Sequence, residues 1–208
     1  MDWIEKREDI ERIRQHLRLN YNFGDMYALL FTFGCNFGLR ASDLRKLTFG
    51  DIRNKTHLEI IEKKTNKYRK IFINGKAHHE LNKYIDGHRY NNSIVKLLIV
   101  ADYVPIFTSR KNIELDEKSI YRIIRTACED IGLKGDYGSH TMRKTFSYHC
   151  YKAVSDLNVL KRLLMHSDLS VTKKYVDSKN LQNFEENECQ NSFGYEISDD
   201  EIYSLLNL

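Results

Sequence analysis

The sequence predicts an α+β fold, mostly helical with one small antiparallel hairpin. Two observations carry this. Apolar residues recur at helical spacing through most of the chain, and the period changes once, in a segment rich in Ile, Phe and Tyr around a polar turn. A third is continuity: Pro105 is the single proline, and no low-complexity linker or internal repeat divides the 208 residues.

The elements follow in order. From Ile4 to Leu17 the residues Ile10, Ile13 and Leu17 recur among charges as in an amphipathic helix, and Asp25–Cys35 is a second, more apolar one. Gly34 and Gly38 bracket an irregular stretch, after which Ala41–Leu47 reads as a short helix. His57–Glu62 and Tyr68–Ile73 form the hairpin about Lys64-Thr65-Asn66-Lys67. Beyond Asn74-Gly75 the helical pattern resumes through Lys76–Asp86, and Val104–Phe107 is strand-like. Helices are expected over Glu117–Ile131, His140–Lys152, Asp156–Leu164 and Ser170–Tyr175. Asp199–Leu206, acidic with Ile202, Leu205 and Leu206 on one side, reads as a docking helix.

Composition narrows the function classes. Apolar residues make up 41% and charged residues 30%, the balance of a folded globular chain. The best apolar run, Tyr27–Phe33, is far too short to span a bilayer, and the charged N-terminus lacks a signal-peptide core, so a cytoplasmic location is expected. Cys35, Cys128, Cys150 and Cys189 are scattered with no Cys-x-x-Cys pair; reduced thiols, no metal site and no cofactor are expected. Residues 181–208 carry seven acidic residues and no Lys or Arg, so a −7 tail within a +4 chain leaves +11 on residues 1–180. A body this basic suits a polyanionic partner, DNA or RNA, although a solvated basic surface has the same charge.

Metal-free phosphodiester transfer needs a nucleophile, fixed positive charge on the non-bridging oxygens, an acid for the departing oxygen and a base for the nucleophile. Five places offer these parts: Arg40 in Gly38-Leu39-Arg40-Ala41-Ser42-Asp43-Leu44; Lys64 at the hairpin tip; His140 and Arg143 at i and i+3; His166 in Leu164-Met165-His166-Ser167; and Tyr175, nine residues further on. Singly, each has a plain structural explanation. Arg40 and Asp43 read as a surface ion pair, Lys64 as a solvated turn residue, and His140 or His166 as a hydrogen-bonded structural histidine. Tyr175, one of 13 tyrosines, reads as packing.

Order and spacing favour the shared reading. Gly-Leu-Arg-x-Ser-Asp-Leu, a hairpin lysine, His-x-x-Arg, Leu-x-His-Ser and Thr-x-x-Tyr resemble, in that order, the catalytic domain of the tyrosine recombinase (phage integrase) family, from about residue 5 to residue 178. Leu47 with Asp51-Ile52, the Ile106–Arg110 stretch and Gly132-Leu133 add to the resemblance. It implies Tyr175 as the nucleophile of a 3′-phosphotyrosyl bond and Arg40 with Arg143 as the clamp on the scissile phosphate. It implies Lys64 as the general acid, with Lys63 and Lys67 as neighbouring alternatives, His140 as the aid to proton transfer at the tyrosine, and His166 as a phosphate hydrogen-bonding residue. Asp43 resembles the acid that buttresses the site beside a basic residue.

The resemblance also implies a catalytic domain over 1–180, double-stranded DNA as partner and a homo-oligomer, a tetramer on paired sites. The first motif begins by residue 38, leaving no room for the N-terminal DNA-clamping domain of many relatives and a place for an accessory DNA-binding protein. The tail 181–208 is expected to anchor on a neighbouring protomer, to lie over the basic body in competition with DNA, or simply to fray. The expected activity is site-specific integration, excision or inversion. The alternatives are a non-catalytic DNA-binding regulator and a type IB topoisomerase-like nicking-closing enzyme.

Overall fold

The computed structural model describes residues 1–89, 102–111, 113–176 and 198–208. Its organising element is α2 (Gly24–Phe37), in which every residue from Ala28 to Phe37 is buried. A helix apolar on all sides belongs in the middle of a core. The first helix, α1 (Arg7–Asn20), covers one side of it with Ile10, Ile13 and Leu17. This helix starts three residues later than the periodicity suggested. Ile4 instead lies in an extended lead, buried, its N–H donating to Thr145 Oγ1 at 3.0 Å.

Two short helices follow α2. In α3 (Ala41–Leu44) the residues Ala41 and Leu44 face the core, and α4 (Phe49–Ile52) forms in a segment for which the sequence predicts no element. The start of α4 is fixed by Asp51, whose carboxylate accepts from both the N–H and the hydroxyl of Thr48 at 2.8 Å. Strands β1 (His57–Ile61) and β2 (Tyr68–Phe72) pair antiparallel, with Leu58 opposite Ile71 and Ile61 opposite Tyr68. The long helix α5 (Gly75–Arg89) comes next.

The strand expected over Val104–Phe107 does not form. Pro105 makes an isolated bridge to Thr48, while Phe49 and Gly50 donate to the carbonyls of Val104 and Asp102. A proline cannot donate to a ladder, so the segment pins the loop around α4 instead. The remaining helices are α6 (Glu117–Asp130), α7 (Thr141–Val154), α8 (Leu157–Leu163), α9 (Leu169–Lys173) and α10 (Asp199–Leu206). Asp116, Asp156, Asp168 and Ser198 cap α6, α8, α9 and α10 through side-chain oxygens that accept from backbone N–H groups.

The C-terminal helix is not frayed. Ile202, Tyr203, Leu206 and Leu208 are buried against α7, β2 and α2, and Asn36 bonds both the N–H and the carbonyl of Leu208 at 2.8 and 2.7 Å. Residues 177–197 of the acidic tail, with Cys189, lie outside the described residues. Cys35, Cys128 and Cys150 are buried free thiols. Among the described residues no cluster of His, Cys, Asp or Glu is arranged to hold a metal, and no helix is long and apolar enough to cross a membrane.

Candidate active site

The site grows from the end of α2. Gly38 closes that helix in the left-handed conformation, φ 59°, and a Cβ there would stand 2.4 Å from the Phe146 ring. The close approach lets α7 lie against the turn, and Arg143 of α7 donates to the Gly38 carbonyl at 2.7 Å. Two residues on, Arg40 occupies the N-cap position of α3, held by the buried flanks Leu39 and Ala41. Its guanidinium meets the carboxylate of Glu62 at 2.5 Å.

Arg143 is 1% exposed. Beyond Gly38 it donates to the Leu164 carbonyl at 2.9 Å, lies 3.3 Å from His166 Nε2 and 3.6 Å from Glu62. Its Nε has no partner among the described residues. Burial and the neighbouring Arg69 and Arg40 charges lower its pKa, yet it stays protonated at neutral pH. His166 is reached through a sharp turn in which Met165 takes a left-handed φ of 55°. Burial, with the charges of Arg143 and Arg40, pushes the His166 imidazole down to about 4, so the ring is neutral. Since Arg143 can only donate, Nε2 accepts, and Nδ1 carries the proton toward Thr172 Oγ1 at 3.0 Å.

Tyr175 stands just beyond α9, in a turn rather than in the helix expected to include it; its N–H donates to the Thr172 carbonyl. A five-residue helix leaves the ring half-buried, 5.2 Å from the His166 ring and with the Arg143 guanidinium 6.0 Å from its centroid. His140 is the N-cap of α7, its backbone in the right-handed helical region (φ −81°, ψ −14°) three residues before Arg143. It is exposed, and desolvation and the Arg143 charge hold its pKa below the ordinary 6.5. The structure therefore brings Arg40, Arg143, His166 and Tyr175 together, with His140 beside them.

The hairpin tip is different. Lys64 is exposed, and no contact of its ammonium with the cluster is seen among the described residues. Lys67 reaches back to the Met165 carbonyl at 3.4 Å. Asp43 does not pair with a basic side chain: one oxygen accepts from the Lys63 backbone N–H at 2.9 Å, and the other, buried, has no partner. The acid expected to support a basic residue thus tethers the backbone immediately before Lys64.

Two site residues escaped the sequence reading. Glu62, fully buried, accepts from Arg40, from Arg69 at 3.2 Å and from Thr65 Oγ1 at 3.1 Å. Burial pushes its carboxyl up, but the charges of Arg69, Arg143 and Arg40 outweigh this and hold it below 4.5. Arg69, also buried, bonds the Phe37 carbonyl at 2.6 Å and Tyr203 Oη at 3.0 Å. Strand alternation carries the missed signal: Glu62 is in phase with Leu58, and Arg69 with Ile71, so both charges fall on the inward face.

Known proteins resemble the chain in sequence and in fold. The model of the phage integrase family matches residues 6–182. The probable integrase/recombinase YoeC of Bacillus subtilis is 36% identical over 173 residues, covering 83% of this chain and 87% of that protein. Tyrosine recombinase XerC of Thermodesulfovibrio yellowstonii is 31% identical over 146 residues, covering 69% of this chain and 48% of that protein. The chain thus spans most of the first relative and about half of the second. Among solved structures, XerA recombinase superposes with a TM-score of 0.69 at 16% identity, covering 93% of this chain and 65% of that one. A lambda integrase dimer bound to a COC′ core site superposes with a TM-score of 0.61 at 16% identity, covering 95% and 51%. At such identities the likeness is one of fold.

Proposed function

The chain belongs to the phage integrase family, and on that premise we propose that it is a site-specific recombinase that cuts and rejoins duplex DNA through a covalent phosphotyrosine on Tyr175. The observation that carries the proposal is the placement of Tyr175 beside a buried arginine: the Arg143 guanidinium lies 6.0 Å from its ring, and Arg40 joins Arg143 across Glu62.

In this reading Tyr175 Oη attacks the scissile phosphorus, a 3′-phosphotyrosyl bond forms and the bond from phosphorus to the 5′-oxygen breaks. The tyrosine proton passes to His140, whose lowered pKa leaves it neutral and able to accept near pH 7. Lys64, or Lys67 beside it, protonates the departing 5′-oxygen. Arg40 and Arg143 hold the non-bridging oxygens from fixed positions, so little reorganisation is needed as charge shifts in the transition state. A neutral His166 adds a hydrogen bond once a phosphate displaces Arg143 and the ring takes its other tautomer, Nε2–H donating to a non-bridging oxygen while Nδ1 accepts from the Thr172 hydroxyl. Religation reverses each step, because the aryl phosphate retains the bond energy.

Residues 1–180 act as the catalytic unit on double-stranded DNA, and two strand exchanges at each of two paired sites call for a tetramer. Dimeric and tetrameric DNA complexes are recorded for lambda integrase. The 181–208 tail acts as a docking segment whose helix α10 seats here on its own body.

The test is covalent trapping without metal on nicked suicide duplexes drawn from DNA flanking the gene. Wild type is expected to form a denaturation-resistant adduct and Tyr175→Phe none. Specific DNA binding with no adduct from either protein overturns strand transfer in favour of a regulator. Relaxation of supercoils without site preference would instead indicate a nicking-closing enzyme.

A further inference from the structure

We propose that Glu62 is the positioning residue of the arginine clamp, a single buried carboxylate that sets Arg40 and Arg143 before DNA arrives. The inference rests on the recombinase reading for its consequence in catalysis, but its geometry stands independently. Two guanidinium groups aimed at one phosphate repel each other, and both prefer water to a protein interior. Something must hold them in the phosphate's absence. The two oxygens of Glu62 share that role. Oε2 takes Arg40 at 2.5 Å, and Oε1 faces Arg143 at 3.6 Å.

The carboxylate is itself fixed from behind. Arg69 grips Oε1 at 3.2 Å and is anchored in turn to the carbonyls of Phe37 and Gly38 and to Tyr203 Oη. Thr65 Oγ1 donates to Oε2 from the hairpin turn at 3.1 Å. The plane of the carboxylate is therefore determined by donors that do not belong to the clamp. Among the described residues, the only contact seen for the Arg40 guanidinium is with Glu62, so its orientation depends on this one group. Arg143 has two carbonyl partners besides, at Gly38 and Leu164, and depends on Glu62 less.

Glu62→Gln keeps the shape and one acceptor but presents an NH2 group to one of the arginines. In single-turnover cleavage at saturating duplex, the expected result is a fall of about tenfold or more in rate, with the DNA dissociation constant within about twofold of wild type. Thr65→Val removes one donor to Oε2 without adding or burying a charge. It is expected to slow the same step by a few-fold at unchanged melting temperature, and it serves where Glu62→Gln does not fold. A cleavage rate equal to wild type in folded Glu62→Gln or, where that protein does not fold, in Thr65→Val overturns the proposal. A change in affinity alone does so as well.

A second readout needs no cleavage. Rotation of the Arg40 guanidinium, followed by NMR on labelled free protein, should be hindered in wild type and faster in Glu62→Gln, and faster to a lesser degree in Thr65→Val. Equal restraint in wild type and variant overturns the positioning role, whatever the enzyme does. Loosened Arg40 in a protein whose wild type forms no adduct upholds the positioning role and places the failure in the recombinase reading.

Discussion

The arginine cluster and the hairpin tip sit at opposite ends of the same few residues of chain, yet they are built on opposite principles. Glu62 is fully buried and ties Arg40, Arg69 and Arg143 together, whereas Lys64, two residues later, is exposed. A group that stabilises transition-state charge gains from being fixed in advance in a place water does not reach. A group that must deliver a proton to a departing oxygen gains from reach, and a lysine on a turn has it. The turn is not loose everywhere: Asp43 holds the Lys63 N–H, and Asn66, in the left-handed region at φ 52°, donates to the Glu62 carbonyl. The backbone is placed while the Lys64 side chain stays exposed, as the proposed acid requires.

This contrast can be broken or sharpened by mutation. The largest expected effect is at Tyr175, where Phe abolishes the covalent adduct outright in a trapping assay. Next, Arg143→Ala should lower the cleavage rate about 10²- to 10³-fold, roughly 2.7–4 kcal/mol of barrier. It should also cost on the order of 3 kcal/mol of stability in denaturant titration, because buried partners lose their donor. Lys64→Ala should slow cleavage while leaving the denaturation midpoint unchanged, since the side chain is exposed. A substrate with sulfur in place of the 5′-bridging oxygen, whose leaving group needs no acid, should restore the rate of Lys64→Ala but not of Arg143→Ala. If Lys67→Ala shows that rescue and Lys64→Ala does not, the acid is Lys67.

Two smaller effects concern the surroundings. With +11 on residues 1–180, DNA affinity should fall steeply with salt, by a log–log slope of about −0.9 for each phosphate neutralised. A flat dependence in filter binding would show that phosphate contacts do not dominate. The smallest effect is on pH. His166 is depressed to about 4 from 6.5, so between those values the unfolded chain binds its proton and the folded chain does not. Stability from this group is full above pH 6.5 and is lost as pH falls toward 4. His166→Phe should reduce the pH slope of unfolding free energy in that window by up to about 1.4 kcal/mol per pH unit. An unchanged slope would place the proton elsewhere, His149 being the other histidine lowered to about 4.

Most of the helices and the hairpin were legible in the sequence to within a few residues, α4 and the unformed Val104–Phe107 strand excepted, because apolar period and the polar turn are local properties. The sequence also carried the motif order that singles out Arg40, Arg143, His166 and Tyr175 as candidates, residues the fold then gathers within one cluster. What lies between them was not legible before the chain folded. The buried Glu62 and Arg69, the backbone partner of Asp43 and the seating of Tyr203 against Arg69 all depend on contacts between separate elements of the chain. Local pattern reports which face a side chain takes. Which charge it meets there is settled when α2, the hairpin, α7 and α10 close on one another, since a charge buried on that face requires a partner from another element.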